Sequence, residues 1–100
     1  MIYNFRVIKF THVDGDSTKK VILYALSTCG WCRRAKEQLN KLGVAYDFVD
    51  ADLVDDKMSK EIETEVVRWC NKEMYPTVVI DNKEAFIATD LDHLKKALGK

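Results

Sequence analysis

No charge of one sign is in excess in this chain: 16 Lys and Arg face 16 Asp and Glu across 100 residues. That balance excludes the basic field that nucleic acid requires, or that an anionic surface would attract. Long hydrophobic runs are missing too, since no stretch approaches the roughly 20 apolar residues that span a bilayer. The opening MIYNFRVIKF alternates polar with apolar residues and lacks the unbroken apolar core of a signal peptide. The expected location is therefore cytoplasmic, with no nucleic-acid and no membrane partner. Cysteine is scarce and odd in number, at three. A secreted disulfide scaffold usually has more, in even number. In a reducing compartment thiols stay thiols unless they are catalytic or bind metal. Repeats, linkers and low-complexity tracts are absent from the sequence.

What is there is a soluble globular composition, 47% apolar and 32% charged. The length predicts a single domain over residues 1–100, large enough to bury a core without staples. Residues 2–10 read as a strand, with Ile2, Ile8 and Phe10 on one side and Tyr3, Phe5 and Val7 on the other. The polar stretch from Val13 to Thr18 is a turn marked by Asp14-Gly15. Val21 to Leu26 is a continuous apolar run, too short for a helix and suited to a buried strand. The period then changes. Cys32, Ala35, Leu39 and Leu42 fall on one helical face, with Arg33, Lys36, Glu37 and Lys41 off it and Gly43 as a C-terminal cap. Ala45 to Val49 is a second strand, parallel to the first because a helix joins them. The acidic run from Asp47 to Asp56 reads as a solvated loop leading to another helix, whose buried stripe is Ile62, Val66, Trp69 and Cys70. After Tyr75-Pro76 come a short strand (77–80), a turn at 81–83, its hairpin partner (84–87) and a last helix. Thr89 or Asp90 caps that helix, with Leu91, Leu94 and Leu98 facing inward. The fold class is an α/β mixed sheet flanked by helices.

Ser27 to Cys32 reads STCGWC and sits where the buried strand ends and the helix begins. Cys29 lies at the helix edge and Cys32 one turn inside. Free backbone N–H groups and the helix dipole there favour an anion, and a thiolate is one. The thiolate is the attacking species in thiol–disulfide exchange. Cys29 is the expected nucleophile and Cys32 the expected resolving thiol, with Thr28 placed to cap the helix. A zinc site needs a second ligand pair, and Cys70, His12 and His93 supply none. A permanent disulfide across so small a loop constrains little chain entropy. Trp31, on an exposed turn between the cysteines, suits a substrate platform. Cys70 reads as a buried inert thiol, and His12 and His93 as surface residues.

Four segments together resemble a glutaredoxin, of the thioredoxin-fold superfamily. They are VILYALSTCGWC running into a helix, YDFVDAD, YPTVVI, and Asp90-Leu91 at a helix start. The resemblance spans residues 20–98 and leaves residues 1–19 as an extra strand and turn. It implies a thioredoxin-like, glutaredoxin-type fold with a four-stranded core sheet. It implies that Pro76 is cis and faces the cysteines, and that the backbone of Tyr75 pairs with an incoming substrate strand. Thr28, Trp31, Tyr75 and Pro76 then line the substrate side. The implied function is a monomeric thiol–disulfide oxidoreductase acting on protein or mixed disulfides through Cys29 and Cys32, with no tightly bound cofactor and no metal. The spacer Gly30-Trp31 replaces the Pro-Tyr common in glutaredoxins. Leu26 stands where a lysine is usual, and Phe86-Ile87-Ala88-Thr89 lacks the usual Gly-Gly pair. The electron donor therefore stays open among glutathione, another low-molecular-weight thiol and a thioredoxin-type reductase. Two other readings exist: an iron–sulfur or metal carrier using Cys29, and an interaction module whose extra strand recruits a partner at a sheet edge.

Overall fold

A computed structural model describes residues 8–100. Five strands and three helices follow in the order β1 (Thr11–Val13), β2 (Val21–Ala25), α1 (Gly30–Leu42), β3 (Tyr46–Asp50), α2 (Asp56–Cys70), β4 (Thr77–Ile80), β5 (Glu84–Ile87) and α3 (Leu91–Ala97). They form one mixed sheet in the order β1-β3-β2-β4-β5. Strands β2 and β3 run parallel, with Ala25 opposite Asp50, and every other pairing is antiparallel. This is a thioredoxin-like fold with an added N-terminal edge strand.

The continuous apolar run of β2 is explained by burial on both faces. Val21, Leu23 and Ala25 join a core with Cys32, Ala35 and Leu39 of α1 and with Leu94 of α3. Tyr24 points the other way and packs with Ile62 and Val66 of α2. Strand β4 divides in the same manner, Val78 and Ile80 to the first core and Val79 to the second. Helices α1 and α3 therefore cover one face and α2 the other. Among the described residues no helix is long and apolar enough to cross a membrane.

The caps follow local chemistry. Gly43 ends α1 in the left-handed region (φ 71°), where a Cβ would be strained. Asp55 begins α2 by accepting the Met58 N–H at 2.8 Å, and Asp90 begins α3 by accepting those of Asp92 and His93. Asp81 and Asn82 both take positive φ in the three-residue β4–β5 connection, where the Lys83 N–H donates to the Ile80 carbonyl at 3.0 Å.

The N-terminal strand is present, but its place differs from the sequence reading. Residues 1–7 lie outside the described residues, and residues 8–10 are not strand. Ile8 is buried against α2, and Phe10 meets the Tyr24 ring edge-on at 5.9 Å between centroids. Those apolar side chains anchor the segment into the core, and among the described residues the ladder begins at Thr11. There His12 pairs with Asp47 of β3 at 2.8 Å and with Asp14 at 3.0 Å, which raises its pKa, chiefly through the Asp47 hydrogen bond. His12 is thus a surface residue with two partners that local sequence did not reveal.

Candidate active site

Strand β2 ends at Ala25 and α1 starts at Gly30, so Leu26 to Cys29 make the turn between them. Two bonds fix that turn from within: the Cys29 N–H reaches the Leu26 carbonyl at 3.3 Å, and the Leu26 N–H points at the Cys32 sulfur at 3.4 Å. A third tie comes from far along the chain. Asp52, just past β3, accepts the Ser27 N–H at 2.8 Å and the Ser27 hydroxyl on its other oxygen. These bonds hold the Asp52 carboxyl below the usual carboxylate range.

Cys29 itself is the N-cap of α1, with extended backbone, and its sulfur accepts the Cys32 N–H at 3.1 Å. Thr28 is an exposed turn residue and does not cap the helix, contrary to the sequence reading. A cap must present its acceptor back toward the first turn, and the cysteine sulfur does this. The consequence is chemical. A first-turn N–H and the positive end of the helix dipole converge on Sγ of Cys29. Cys29 is half-buried and open to solvent, whereas Cys32 is fully buried. Burial, and then the hydrogen bond with Cys29, pushes the Cys32 thiol up to about 12. One thiol is thus accessible and accepts a hydrogen bond from the helix. The other is enclosed and protonated, one helical turn inside.

Trp31 is 45% exposed between them, and the Arg34 guanidinium stacks over its ring at 4.9 Å from the centroid. The Tyr75–Pro76 peptide bond is cis. Pro76 is buried, and its carbonyl accepts the Ala88 N–H at 2.8 Å. Tyr75 is half-buried against both cores and donates its hydroxyl to Glu73 at 2.8 Å. Burial first, and then Glu73, raises its phenol. Tyr75 thus packs on the core that holds Cys32 as well as on the one that holds Val66.

Two sequence readings need correction. The acidic run is not a solvated loop: Asp47 holds His12, Asp50 holds Lys36, Asp52 holds Ser27 and Asp55 caps α2. Lys36 is not off the packed face: its side chain is 23% exposed, its Nζ lies 3.0 and 3.2 Å from the two oxygens of Asp50, and it sits 4.3 Å above the Phe48 ring. Cys70 is half-buried, with its sulfur 3.6 Å from the Thr77 hydroxyl. Among the described residues, no group of three His, Cys, Asp or Glu is placed to hold a metal ion.

Comparison with known proteins points one way. Residues 21–85 match the family model described as Glutaredoxin. The chain is 30% identical to a glutaredoxin of Ricinus communis over 67% of this chain, a match that spans 64% of that relative's length. It is likewise 30% identical to glutaredoxin 1 of Rickettsia prowazekii (strain Madrid E), over 76% of this chain and 77% of the relative. Among solved structures, the glutaredoxin from Methanosarcina mazei Go1 superposes with a TM-score of 0.84 at 35% identity, covering 91% of this chain and 88% of that one.

Proposed function

The chain belongs to the glutaredoxin family, and from that premise we propose that it is a thiol–disulfide oxidoreductase working by a dithiol mechanism. The thiolate of Cys29 attacks one sulfur of a target disulfide. A mixed disulfide forms, and the first target thiol leaves. Cys32 then loses its proton and attacks Sγ of Cys29, the bond to the target breaks, and the second target thiol leaves. The chain keeps the Cys29–Cys32 disulfide, and an external donor returns two electrons and two protons.

The observation that carries this reading is the 3.1 Å hydrogen bond from the Cys32 N–H to Sγ of Cys29, with Cys32 fully buried behind it. It supports Cys29 as the attacking thiol and Cys32 as the resolving one. Targets are proteins or small molecules with an accessible disulfide. Trp31, Thr28 and Tyr75 form the surface they meet, with the buried Pro76 shaping the backbone behind it. The donor is an external thiol, glutathione or another of low molecular weight, or a protein reductase. The reducing cytoplasm is the compartment where such a pair cycles.

The experiment is reduction of a model disulfide by wild type and by Cys29→Ser, with each donor tried in turn. Turnover by the wild type and background rates for the serine variant are expected. Full activity in Cys29→Ser overturns the reading.

A further inference from the structure

The dithiol cycle sets two demands on one helix. Cys32 must stay protonated while Cys29 attacks, yet it must lose that proton to close the disulfide. Burial alone meets the first demand and opposes the second. Something near Cys32 has to make its anion attainable.

Lys36 is four residues beyond Cys32 on α1, so the two side chains stand on the same face, with Cβ atoms about 5–6 Å apart. A free lysine would swing to solvent. This one is held. Both oxygens of Asp50 bind its ammonium, at 3.0 and 3.2 Å, and the Phe48 ring lies beneath it at 4.3 Å. Asp50 is only 12% exposed and stands opposite Ala25 in the β2–β3 ladder. The residue after Ala25, Leu26, donates its N–H to the Cys32 sulfur. The ion pair is thus anchored in the strand layer next to the resolving thiol. The cation is held one helical turn from Cys32, where a positive charge favours a thiolate over a thiol. The other groups that face this cluster are Cys29 from the same helix and Tyr75 from the segment before β4. Glu73 lies on the Tyr75 hydroxyl, and Asp52 also feels Lys36.

We propose that Lys36 is a positioning residue, fixed by Asp50 and Phe48, whose charge supports the Cys32 thiolate during closure of the Cys29–Cys32 disulfide. This rests on the dithiol reading. In the step concerned, the Cys32 proton goes to solvent and its sulfur bonds to Sγ of Cys29. The Cys29–target bond breaks, and the target leaves as a thiolate that takes up a proton.

The test is single-turnover reaction of the reduced protein with a small symmetrical disulfide. The release of the first and second thiol is followed separately between pH 6 and 9 (experimental settings, on the order of the range where thiols titrate). The variants are Lys36→Gln/Asp50→Asn, which leaves no orphaned carboxylate, and Lys36→Arg, which keeps the charge. The expected result is a second-to-first rate ratio lowered about three- to tenfold in the neutralised variant. The whole pH profile of closure moves to higher pH, and Lys36→Arg restores most of the ratio. An unchanged ratio, or an arginine variant as slow as the neutral one, overturns the inference while leaving the dithiol reading intact. A wild type that releases no second thiol overturns both.

Discussion

The N–H of Cys32 points at the sulfur of Cys29 across 3.1 Å, and this bond makes two chemically similar residues unlike. Cys29 gains a donor to its sulfur and keeps access to solvent. Cys32 supplies that donor from its backbone while its own sulfur is shut inside the core with Ala35 and Leu39. The asymmetry comes from their positions, cap and first turn.

A selectivity in alkylation follows from this asymmetry. With the Cys32 thiol pushed up to about 12, only ~1 molecule in 10,000 carries its thiolate at about pH 8. Iodoacetamide should therefore label Cys29 first, and labelling of Cys32 should climb about tenfold for each step of one pH unit. Peptide mapping by mass spectrometry reads both rates. Equal labelling of the two at neutral pH contradicts the asymmetry.

Asp52 should matter to the active-site turn although it lies 25 positions from Ser27. Its carboxyl is held below the ordinary value of 3.8, so the stabilisation is fully present above that value. It is lost as pH falls through the lowered folded value. Asp52→Ala should lower the melting temperature at neutral pH. The gap from wild type should narrow in the acid range below about pH 4. A gap that is absent at neutral pH, or constant down to strong acid, contradicts the clamp.

Gly15 carries a steric prediction. A Cβ there would sit 2.6 Å from the Gly43 carbonyl oxygen and 2.6 Å from the Val44 carbonyl carbon, both backbone atoms that cannot swing aside. That approach joins the loop before β2 to the end of α1 through the Asp16 N–H and the Gly43 carbonyl, at 2.8 Å. Gly15→Ala should cost about 1–3 kcal/mol of stability, the range for overpacking. Urea denaturation measures it, and an unchanged midpoint contradicts the contact.

Much of this fold is legible in the sequence, because apolar period reports burial directly. The switch from the continuous run of β2 to the three-and-four spacing of α1 places both cysteines. The β-branched run of β4 and the turn at Asp81-Asn82 place the hairpin. What stays hidden depends on partners brought together by the fold. Ile8 and Phe10 carry a strand's alternation but use their side chains as anchors, so among the described residues the ladder starts at Thr11. The acidic residues look alike along the chain, and what separates them is His12, Lys36 and Ser27, which come from other elements. Lys36 stands at the edge of the apolar face on a helical wheel, beside Cys32, and the position of β3 shows that Asp50 draws it inward. Thr28 is the favoured cap by residue type. The backbone angle at the helix start decides for Cys29.

The most direct test of the dithiol account is the mass and thiol count of a single turnover, in a Cys70→Ser background that removes the third thiol. Reduced protein is mixed with excess small disulfide and quenched with acid. The account predicts two thiols released per chain and a product lighter than the reduced chain by two hydrogens. For Cys32→Ser it predicts one thiol and a stable adduct on Cys29, and for Cys29→Ser neither. A wild-type chain that stops at the one-thiol adduct, or an adduct found on Cys32 instead of Cys29, contradicts it.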